Sequence, residues 1–585
     1  MKIKHLALAV ALAAGSVANI QASNDPQMDA FISNLMSKMT LQEKIGQLNL
    51  PGAGEIVTGE KQNTGGNDMF KDGKVGGVFN LKGVDKVRAV QKLAVEGSRL
   101  HIPLIFGMDV IHGYETVFPI PLAMSCTWDM NAIETSARIA ALESTADGIC
   151  WTFSPMTDIC REPRWGRMSE GAGEDPFLGA AIARAMVKGY QGKSLKDNET
   201  MMACVKHFAL YGAPEAGRDY NTVDMSRQCM FNYYFEPYKA AAEVGAGSYM
   251  ASFNVVDGIP ATGNRWLMTE VLRNKWKFDG FVVTDYTGIS EMIDHGMGDL
   301  QQVSALALKA GIDMDMVAEG LLGTLEKSLK EGKVTMAEID QACRRVLEAK
   351  YKLGLFDDPY KYCDENRAKT QIFTKEHRAI ARDIATKSFV LLKNEGDILP
   401  LKKSGKIALI GPLANTKANM PGTWSVAAVS DRYKSLLEGM KDAVGNKAEI
   451  LYAKGSNLCY DETLEANSTM FGREMRDART PEAMRAEAIE IAKKADVIVF
   501  AGGESSESSG ESSSRSQLET YDAQHDLLVE LKKLGKPIVM LNFAGRSTIL
   551  NWEQENLPAI LNVWFGGSEA ADAICDVVFG DKVPS

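Results

Sequence analysis

The chain has 585 residues, too many for one hydrophobic core, so at least two domains are expected. Its formal net charge is −11 without any block of basic residues, which disfavours a nucleic-acid partner. The seven histidines form no HExxH motif or Cys/His cluster, and the nine cysteines are scattered singly. Neither a metal site nor a disulfide scaffold is therefore predicted, and no cofactor is implied.

Residues 1–23 have the pattern of a secretory signal peptide. Two lysines lie near the start, an apolar stretch runs from Leu6 to Val17, and small residues surround a cleavage point at Ala22 or Ser23. No later segment is a long uncharged apolar run, so no association with a membrane is predicted. We therefore expect a periplasmic or secreted protein.

Residues 24–357 alternate short apolar runs rich in β-forming residues with helical segments. Seven runs read as strands: Gly77–Asn80, Pro103–Val110, Cys150–Ile159, Met201–Ala209, Ser248–Asn254, Gly280–Tyr286 and Ile312–Met316. This α/β order favours a (β/α)₈ TIM-like barrel over a short open sheet, with one strand irregular or unrecognised.

A second alternating set follows a connecting segment, residues 358–390. Its predicted strands are Lys406–Pro412, Ile450–Ala453, Val497–Gly502, Pro537–Phe543 and Ile560–Phe565, with helices at Pro481–Ala495 and Asp522–Lys533. We expect residues 391–585 to form an open α/β sandwich domain. The sequence stops after a helix-like stretch without a closing strand, from which we expect this domain to be incomplete.

Polar residues follow several predicted strands of the first set, at the end where barrel enzymes place their active sites. Asp109, Lys206, His207 and Asp285 each lie at a strand end, and Arg167 lies in the loop EPRWGRMSEGAGEDP. Carboxylates and fixed donors, without a phosphate-binding loop, suit a small polyol such as a sugar.

Cleavage of a glycosidic bond requires one ionised carboxylate and one protonated carboxylic acid. Asp285 fits the first role, because Arg167 and Lys206 are expected to lower its pKa. The acid could come from the Ser/Glu-rich stretch Gly502–Ser514, which follows a strand of the second domain, where open α/β sheets carry functional loops.

The segments GMDVIHGYETVFPIP, EPRWGRMSEGAGEDPFL, CVKHFALYG, RDYNTVDMS and GFVVTDYTG together resemble glycoside hydrolase family 3, and its periplasmic β-glucosidases in particular. The resemblance covers nearly the whole mature chain. It implies a (β/α)₈ domain and an α/β sandwich that jointly form the site. It also implies a retaining β-glucosidase that removes terminal β-D-glucosyl residues by double displacement through a covalent glycosyl-enzyme.

The resemblance also implies roles for individual residues. The nucleophile falls on Asp285, and the residue that binds the hydroxyls farthest from the cleaved bond falls on Asp109. Further sugar contacts fall on Arg167, Lys206, His207, Met250 and Phe253, of which the last is a tyrosine in many relatives.

The acid/base falls on Glu511, by the recurring pattern of a glutamate four residues before an arginine, here Arg515. Glu504 and Glu507 remain alternatives in the same stretch. Tyr286 is expected either to stack on the leaving-group sugar or to serve in ordinary packing. In the closed site of a retaining enzyme, the two carboxyl groups are expected about 5–5.5 Å apart.

Three other functions remain to be weighed. A β-xylosidase of the same family is the nearest. A β-N-acetylglucosaminidase is disfavoured by KHFALYG in place of KHFPGHG and by the second domain. A non-catalytic sugar-binding protein would need neither Asp285 nor Glu511. The predicted partner is a small carbohydrate, and the sequence is compatible with a homodimer.

Overall fold

The computed structural model describes residues 25–53, 66–468 and 476–584. The signal peptide predicted for residues 1–23 lies outside the described residues. The chain divides after Met39 into two compact units. In the first unit, Asp25 caps the single helix α1 (Pro26–Lys38), accepting hydrogen bonds from the backbone of its first turn. All other elements belong to the second unit.

Residues 40–352 of the second unit contain short strands, most of them parallel and buried. In chain order these are β1 (Asn49–Leu50), β2 (Gly77–Phe79), β3 (Ile105–Met108), β4 (Trp151–Thr152), β5 (Cys204–Phe208), β6 (Ser248–Ala251), β7 (Val255–Val256), β8 (Ile259–Pro260), β9 (Phe281–Val283) and β10 (Asp315–Met316). Strands β7 and β8 form a small antiparallel hairpin.

The parallel strands pair in three groups: β1 with β10, β2–β3–β4, and β5–β6–β9. Isolated parallel bridges connect the groups. Gly52 pairs with Phe79, Trp151 with Met202, and Val283 with Met314. Each group is therefore linked to the next, and their carboxyl ends lie on the same side.

Helices separate these strands. They are α2 (Leu41–Gly46), α3 (Asn67–Lys71), α4 (Val84–Gly97), α5 (Pro121–Ser125), α6 (Met130–Ala146), α7 (Pro176–Gln191), α8 (Arg227–Cys229), α9 (Glu236–Glu243), α10 (Gly288–Asp294), α11 (Leu300–Ala310), α12 (Gly320–Lys330) and α13 (Met336–Lys352). Helix α13 begins at a capping box, in which Thr335 and Glu338 each satisfy the other's backbone amide. Among the described residues, none of the helices combines the length and apolar character needed to cross a bilayer.

Two helices, α14 (Glu365–Gln371) and α15 (Lys375–Ser388), occupy the segment predicted to connect the domains. A six-stranded sheet follows, with β11 (Val390–Asn394), β12 (Gly405–Ile410), β13 (Ala448–Ala453), β14 (Val497–Gly503), β15 (Ile538–Phe543) and β16 (Ala559–Asn562). Its order is β11-β16-β15-β14-β12-β13, parallel except for β11. Its helices are α16 (Leu436–Val444), α17 (Glu462–Asn467), α18 (Pro481–Lys493), α19 (Asp522–Lys532), α20 (Asn551–Asn556) and α21 (Ala570–Val578).

Apolar side chains cover both faces of this sheet. On one face, α18 and α19 pack against the buried strand residues Ile498 and Met540. On the other face the core extends beyond the sheet to Trp165 and Phe253 of the preceding α/β region. Because burying a large apolar side chain contributes about 1.5–3 kcal/mol, this shared core ties the two α/β regions together.

The structure confirms most predicted strands to within a few residues. Four strands escaped prediction. Strands β1, β7 and β8 have only two residues each, and the antiparallel β11 is only partly buried. The strand predicted at Cys150–Ile159 is wrong beyond Thr152, where the chain leaves the sheet and enters the loop that carries Arg167. The Ser/Glu-rich stretch is a packed loop, buried from Glu504 to Ser509.

Candidate active site

Four of the predicted site residues lie in parallel strands or just after them. Asp109 follows β3, Lys206 and His207 lie within β5, and Asp285 follows β9. Strand β9 is held in place beyond its end, since Met316 N–H donates to Thr284 Oγ1 at 2.9 Å. The strands thus bring these side chains together at one location.

Asp285 presents one free carboxylate oxygen. Its Oδ1 accepts a hydrogen bond from the backbone N–H of Tyr286 at 2.7 Å, which fixes the orientation of the carboxyl group. Its Oδ2 is buried without a hydrogen-bond partner and lies 3.6 Å from His207 Nε2. An acceptor left buried and unpaired is costly, so it marks a position where a ligand or reacting atom belongs.

Burial, and after it the negative charge of Glu511, raise the pKa of Asp285 to about 8, although Arg167 and Lys206 act to lower it. The expectation that the two cations would hold this pKa down was therefore wrong. It counted the cations but omitted the cost of burying a carboxylate and the presence of a second one. The two carboxylates must be treated as a coupled pair.

Arg167 contacts several of the other residues of the site. It lies in a short 3₁₀ turn, Gly166–Glu170, and its buried guanidinium forms a bidentate ion pair with Glu170 at 2.8 and 3.0 Å. Its Nη2 also donates to His207 Nε2 at 2.8 Å, and its Nη1 lies 3.4 Å from Glu511 Oε1. One guanidinium thereby joins the residues around Asp285 to Glu511.

His207 is fully buried and neutral. Burial lowers its pKa well below the ordinary value, and Arg167 and Lys206 lower it further. Its Nδ1 lies 2.9 Å from Asp158 Oδ2, and since arginine can only donate, Nε2 must be the accepting nitrogen. His207 therefore carries no proton towards Asp285, and its ring orients Arg167. The prediction that it contacts sugar stays a prediction.

Asp109 and Lys206 form a buried ion pair. Lys206 Nζ donates to Asp109 Oδ1 at 2.6 Å. Burial acts to lower the pKa of Lys206, but Asp109 and Glu170 more than offset this and raise it. The Trp424 ring, from the loop after β12, lies 5.5 Å from Lys206 Nζ and 5.9 Å from the Arg167 guanidinium carbon. Together with Trp424, the Asp109–Lys206 pair thus provides a carboxylate acceptor, an ammonium donor and an aromatic face.

The three glutamates in the loop after β14 have different surroundings. Glu507 is buried within the turn Ser506–Ser508. Glu504 is buried in ion pairs of 2.8 Å with Arg515 and Arg546. Glu511 instead lies beside Arg167 and accepts a hydrogen bond from Tyr220 OH at 2.6 Å. Its side chain is 23% exposed, enough for a ligand to reach it. Arg515, the marker used to locate Glu511 in the sequence, pairs with Glu504 instead.

The Glu511 loop and the Arg167 loop meet backbone to backbone. Gly510 N–H donates to Gly166 O at 2.8 Å. A Cβ atom at position 166 would lie 2.3 Å from Gly510 O, so only glycine allows this approach. This contact places a residue of the six-stranded sheet region beside the strand ends of the first α/β region.

Phe253 and Tyr286 adjoin this cluster, whereas Met250 lies within β6. Met250 and Phe253 are buried, and the Phe253 ring packs 5.3 Å from Tyr220 and 5.9 Å from Tyr211. Tyr286 is half-buried and meets Phe79 edge-on at 6.3 Å. Direct contact between these three residues and a sugar remains a prediction.

Sequence reasoning missed Asp158, Tyr220 and Trp424. Tyr220 lies in RDYNTVDMS, so the motif was recognised although none of its residues was assigned a role. Trp424 follows a strand of the second sheet within a loop that contains Pro421 and Gly422, the position where open α/β sheets bind ligands. Asp158 contacts His207, and no sequence pattern indicates that contact.

Asp285 and Glu511 are linked through His207 and Arg167, and the Asp109–Lys206 ion pair and Trp424 lie beside them. Two carboxylates in one cluster with groups that can bind a sugar form the arrangement that a glycoside hydrolase requires. In the described part of the chain, no cluster of three or more His, Cys, Asp or Glu side chains is arranged to hold a metal ion. The chemistry available to these side chains is acid/base and nucleophilic.

Comparison with known proteins identifies the family. Residues 40–349 match the glycosyl hydrolase family 3 N terminal domain, and residues 389–585 match its C-terminal domain. The chain therefore belongs to glycosyl hydrolase family 3 and is a glycosidase.

Individual relatives and a solved structure also carry the names of glycosidases. The chain is 44% identical to the periplasmic beta-glucosidase of Salmonella typhimurium, covering 95% of this chain and 73% of that protein. It is 32% identical to a beta-xylosidase of Formosa agariphila, with 97% and 74% covered. The beta-glucosidase of Listeria innocua, solved in complex with glucose, superposes with a TM-score of 0.85 at 37% identity, with 94% and 74% covered.

Proposed function

We propose that this protein is a retaining β-glucosidase that hydrolyses terminal non-reducing β-D-glucosyl residues, with Asp285 as nucleophile and Glu511 as acid/base. The observation that carries the proposal is the buried, unpaired Oδ2 of Asp285, held in one cluster with Glu511 through Arg167. The resemblance to beta-glucosidases of Salmonella typhimurium and Listeria innocua supports glucose as the sugar.

The reaction proceeds in two displacements. Oδ2 of Asp285 attacks the anomeric carbon, the bond to the leaving oxygen breaks, and Glu511 gives its proton to that oxygen. Glu511 then removes a proton from water, whose oxygen attacks the same carbon and releases Asp285. The anomeric configuration is retained because it is inverted twice.

The residues around the carboxylates bind and orient the sugar. Asp109 and Lys206 offer an acceptor and a donor to the hydroxyls farthest from the cleaved bond. Arg167 stabilises the negative charge that Asp285 and Glu511 carry in turn. Trp424 and Tyr286 offer aromatic faces to sugar rings, which bind such faces through their C–H groups.

We further propose that strands β1 to β6, β9 and β10 close into a (β/α)₈ barrel. The pairings run from β1 through β2, β3, β4, β5, β6 and β9 to β10, which pairs with β1 again. The active site then lies at the carboxyl end of the barrel, as in other enzymes of that fold.

The name of the Salmonella relative supports a periplasmic location, reached through the signal peptide predicted at residues 1–23.

A β-xylosidase is the second candidate, because the Formosa agariphila relative carries that name. The two functions differ in the outer hydroxymethyl group, which only a glucoside presents to Asp109. Initial rates on aryl β-glucoside, β-xyloside and β-N-acetylglucosaminide decide among them. We expect the highest kcat/KM on the glucoside, whereas a higher value on either other substrate contradicts the proposal.

Two further measurements test the mechanism. Proton NMR during hydrolysis should show β-glucose as the first product, and α-glucose as the first product would exclude double displacement. Glu511→Ala should lose activity on substrates with poor leaving groups, and azide should restore turnover on an activated aryl glucoside as β-glucosyl azide. The matched variant Glu504→Ala should show no such rescue, because Glu504 is engaged with Arg515 and Arg546.

A further inference from the structure

Tyr220 lies in the loop between β5 and α8, and its hydroxyl reaches across to the Glu511 loop. It donates to Glu511 Oε1 at 2.6 Å and lies 3.2 Å from Ser512 Oγ. Arg167 Nη1 approaches the same oxygen, Oε1, at 3.4 Å. Among the residues that the structure describes, no hydrogen bond reaches the other oxygen, Oε2. The two oxygens of Glu511 are therefore not equivalent.

Asp219, which directly precedes Tyr220, forms hydrogen bonds with the same loop. Its Oδ2 accepts from Ser512 N–H at 2.8 Å, and its own N–H donates to Ser514 Oγ at 2.9 Å. Its Oδ1 accepts from Trp165 Nε1 at 2.8 Å, which anchors the pair to the buried core. The Asp219–Tyr220 pair thus holds Glu511 together with the residues that follow it, Ser512 and Ser514.

The backbone at this contact is constrained. Tyr220 has φ of 64° and Ser512 has φ of 60°, both in the left-handed region that side chains other than glycine, asparagine and aspartate seldom adopt. Such residues persist where the surrounding contacts enforce them, and they cluster at functional sites. The contact is therefore a defined feature of the fold.

We propose that Tyr220, supported by Asp219, is a positioning residue for proton transfer: it holds Oε1 of Glu511, so that Oε2 exchanges the proton with the leaving group and with water. This inference rests on the proposed function, in which Glu511 is the acid/base. In the first displacement the proton passes from Oε2 to the leaving oxygen as the glycosidic bond breaks. In the second, a proton passes from water to Oε2.

Tyr220 itself keeps its proton throughout both steps. Burial raises its pKa above the ordinary value, and the charges of Glu511 and Asp219 raise it further. The hydroxyl therefore keeps a proton with which it donates to Glu511 Oε1 in both steps.

Tyr220→Phe isolates the hydroxyl, because phenylalanine keeps the ring packing against Phe253 and Tyr211. Poorer orientation of Oε2 should lower kcat/KM about 10-fold for unactivated aryl glucosides and little for 2,4-dinitrophenyl glucoside, which leaves without a proton.

The matched control is Tyr233→Phe, which removes a hydroxyl from a tyrosine 43% exposed and should change kcat/KM on neither kind of substrate. An equal loss on all leaving groups would show that Tyr220 is only structural and would overturn the inference. Should Tyr220→Phe unfold, Asp219→Asn should show the same dependence on leaving group, and its absence there would also overturn the inference. If wild type lacks β-glucosidase activity, or Glu511→Ala shows no azide rescue, the proposed function fails instead.

Discussion

Replacing Asp109 by asparagine should weaken catalysis on glucosides far more than on xylosides. Asp109 is buried and gives Oδ1 to Lys206 at 2.6 Å, which leaves Oδ2 available to the sugar. In the proposed role, its carboxylate accepts hydrogen bonds from the two outer hydroxyls of glucose. Xylose lacks the hydroxymethyl group and offers only one of them.

The expected loss of kcat/KM follows from the negative charge of the Asp109 carboxylate, which accepts the hydrogen bonds. A hydrogen bond to a charged group contributes about 1.5–3 kcal/mol, so two of them contribute about 3–6 kcal/mol. With a tenfold change for every 1.4 kcal/mol, kcat/KM on the glucoside should fall roughly 10²–10⁴-fold and on the xyloside roughly 10–10²-fold. The preference for glucoside over xyloside should therefore shrink about 10- to 100-fold.

The assay is kcat/KM on 4-nitrophenyl β-glucoside and β-xyloside for wild type, Asp109→Asn and the control Asp72→Asn, which breaks only an exposed ion pair with Lys74. Circular dichroism and thermal unfolding must show that the first variant is folded, because it leaves buried Lys206 without its partner. Equal losses on both substrates in a folded variant would refute the assignment of Asp109 to the outer hydroxyls.

Three further predictions concern ionisation and stability. Since Glu511 raises the pKa of Asp285, Glu511→Gln should shift the acid limb of kcat/KM on 2,4-dinitrophenyl glucoside to lower pH; an unmoved limb would contradict the coupling. Glu504→Gln should lower the thermal unfolding temperature, because it removes a buried partner of Arg515, and an unchanged temperature would contradict that structural role. Burial lowers the pKa of Lys350 from 10.5 to about 7, so the folded state loses stability as pH falls through that range. Lys350→Met should raise the free energy of unfolding in urea by at most about 5 kcal/mol at pH 7 and by less at pH 9.5; an equal or larger gain at pH 9.5 would contradict this.

The fold was largely predictable because buried parallel strands appear as apolar runs. Strands such as Phe281–Val283 and Ile538–Phe543 carry that signal in their own residues. Strand Asn49–Leu50 has two residues, and it is a strand only because Asp315 and Met316 pair with it. A pairing partner more than 260 positions away leaves no local pattern.

The site was predictable where polar residues follow strands and not where a contact crosses between the two α/β regions. Asp285 and Asp109 were identified by their position after apolar runs. Tyr220 acts on Glu511, which is 291 positions away, and Trp424 faces Lys206 from the other region. The pKa of Asp285 also depends on such a contact, because it requires both burial and the approach of Glu511.

The most direct test of the account is covalent trapping of the nucleophile. Incubation with 2,4-dinitrophenyl 2-deoxy-2-fluoro-β-D-glucoside should inactivate the enzyme and add one fluoroglucosyl group, which peptide mass spectrometry should locate on Asp285. Asp285→Ala should remain unlabelled. A label on any other residue, or inactivation without a covalent adduct, would contradict the central claim that Asp285 attacks the anomeric carbon.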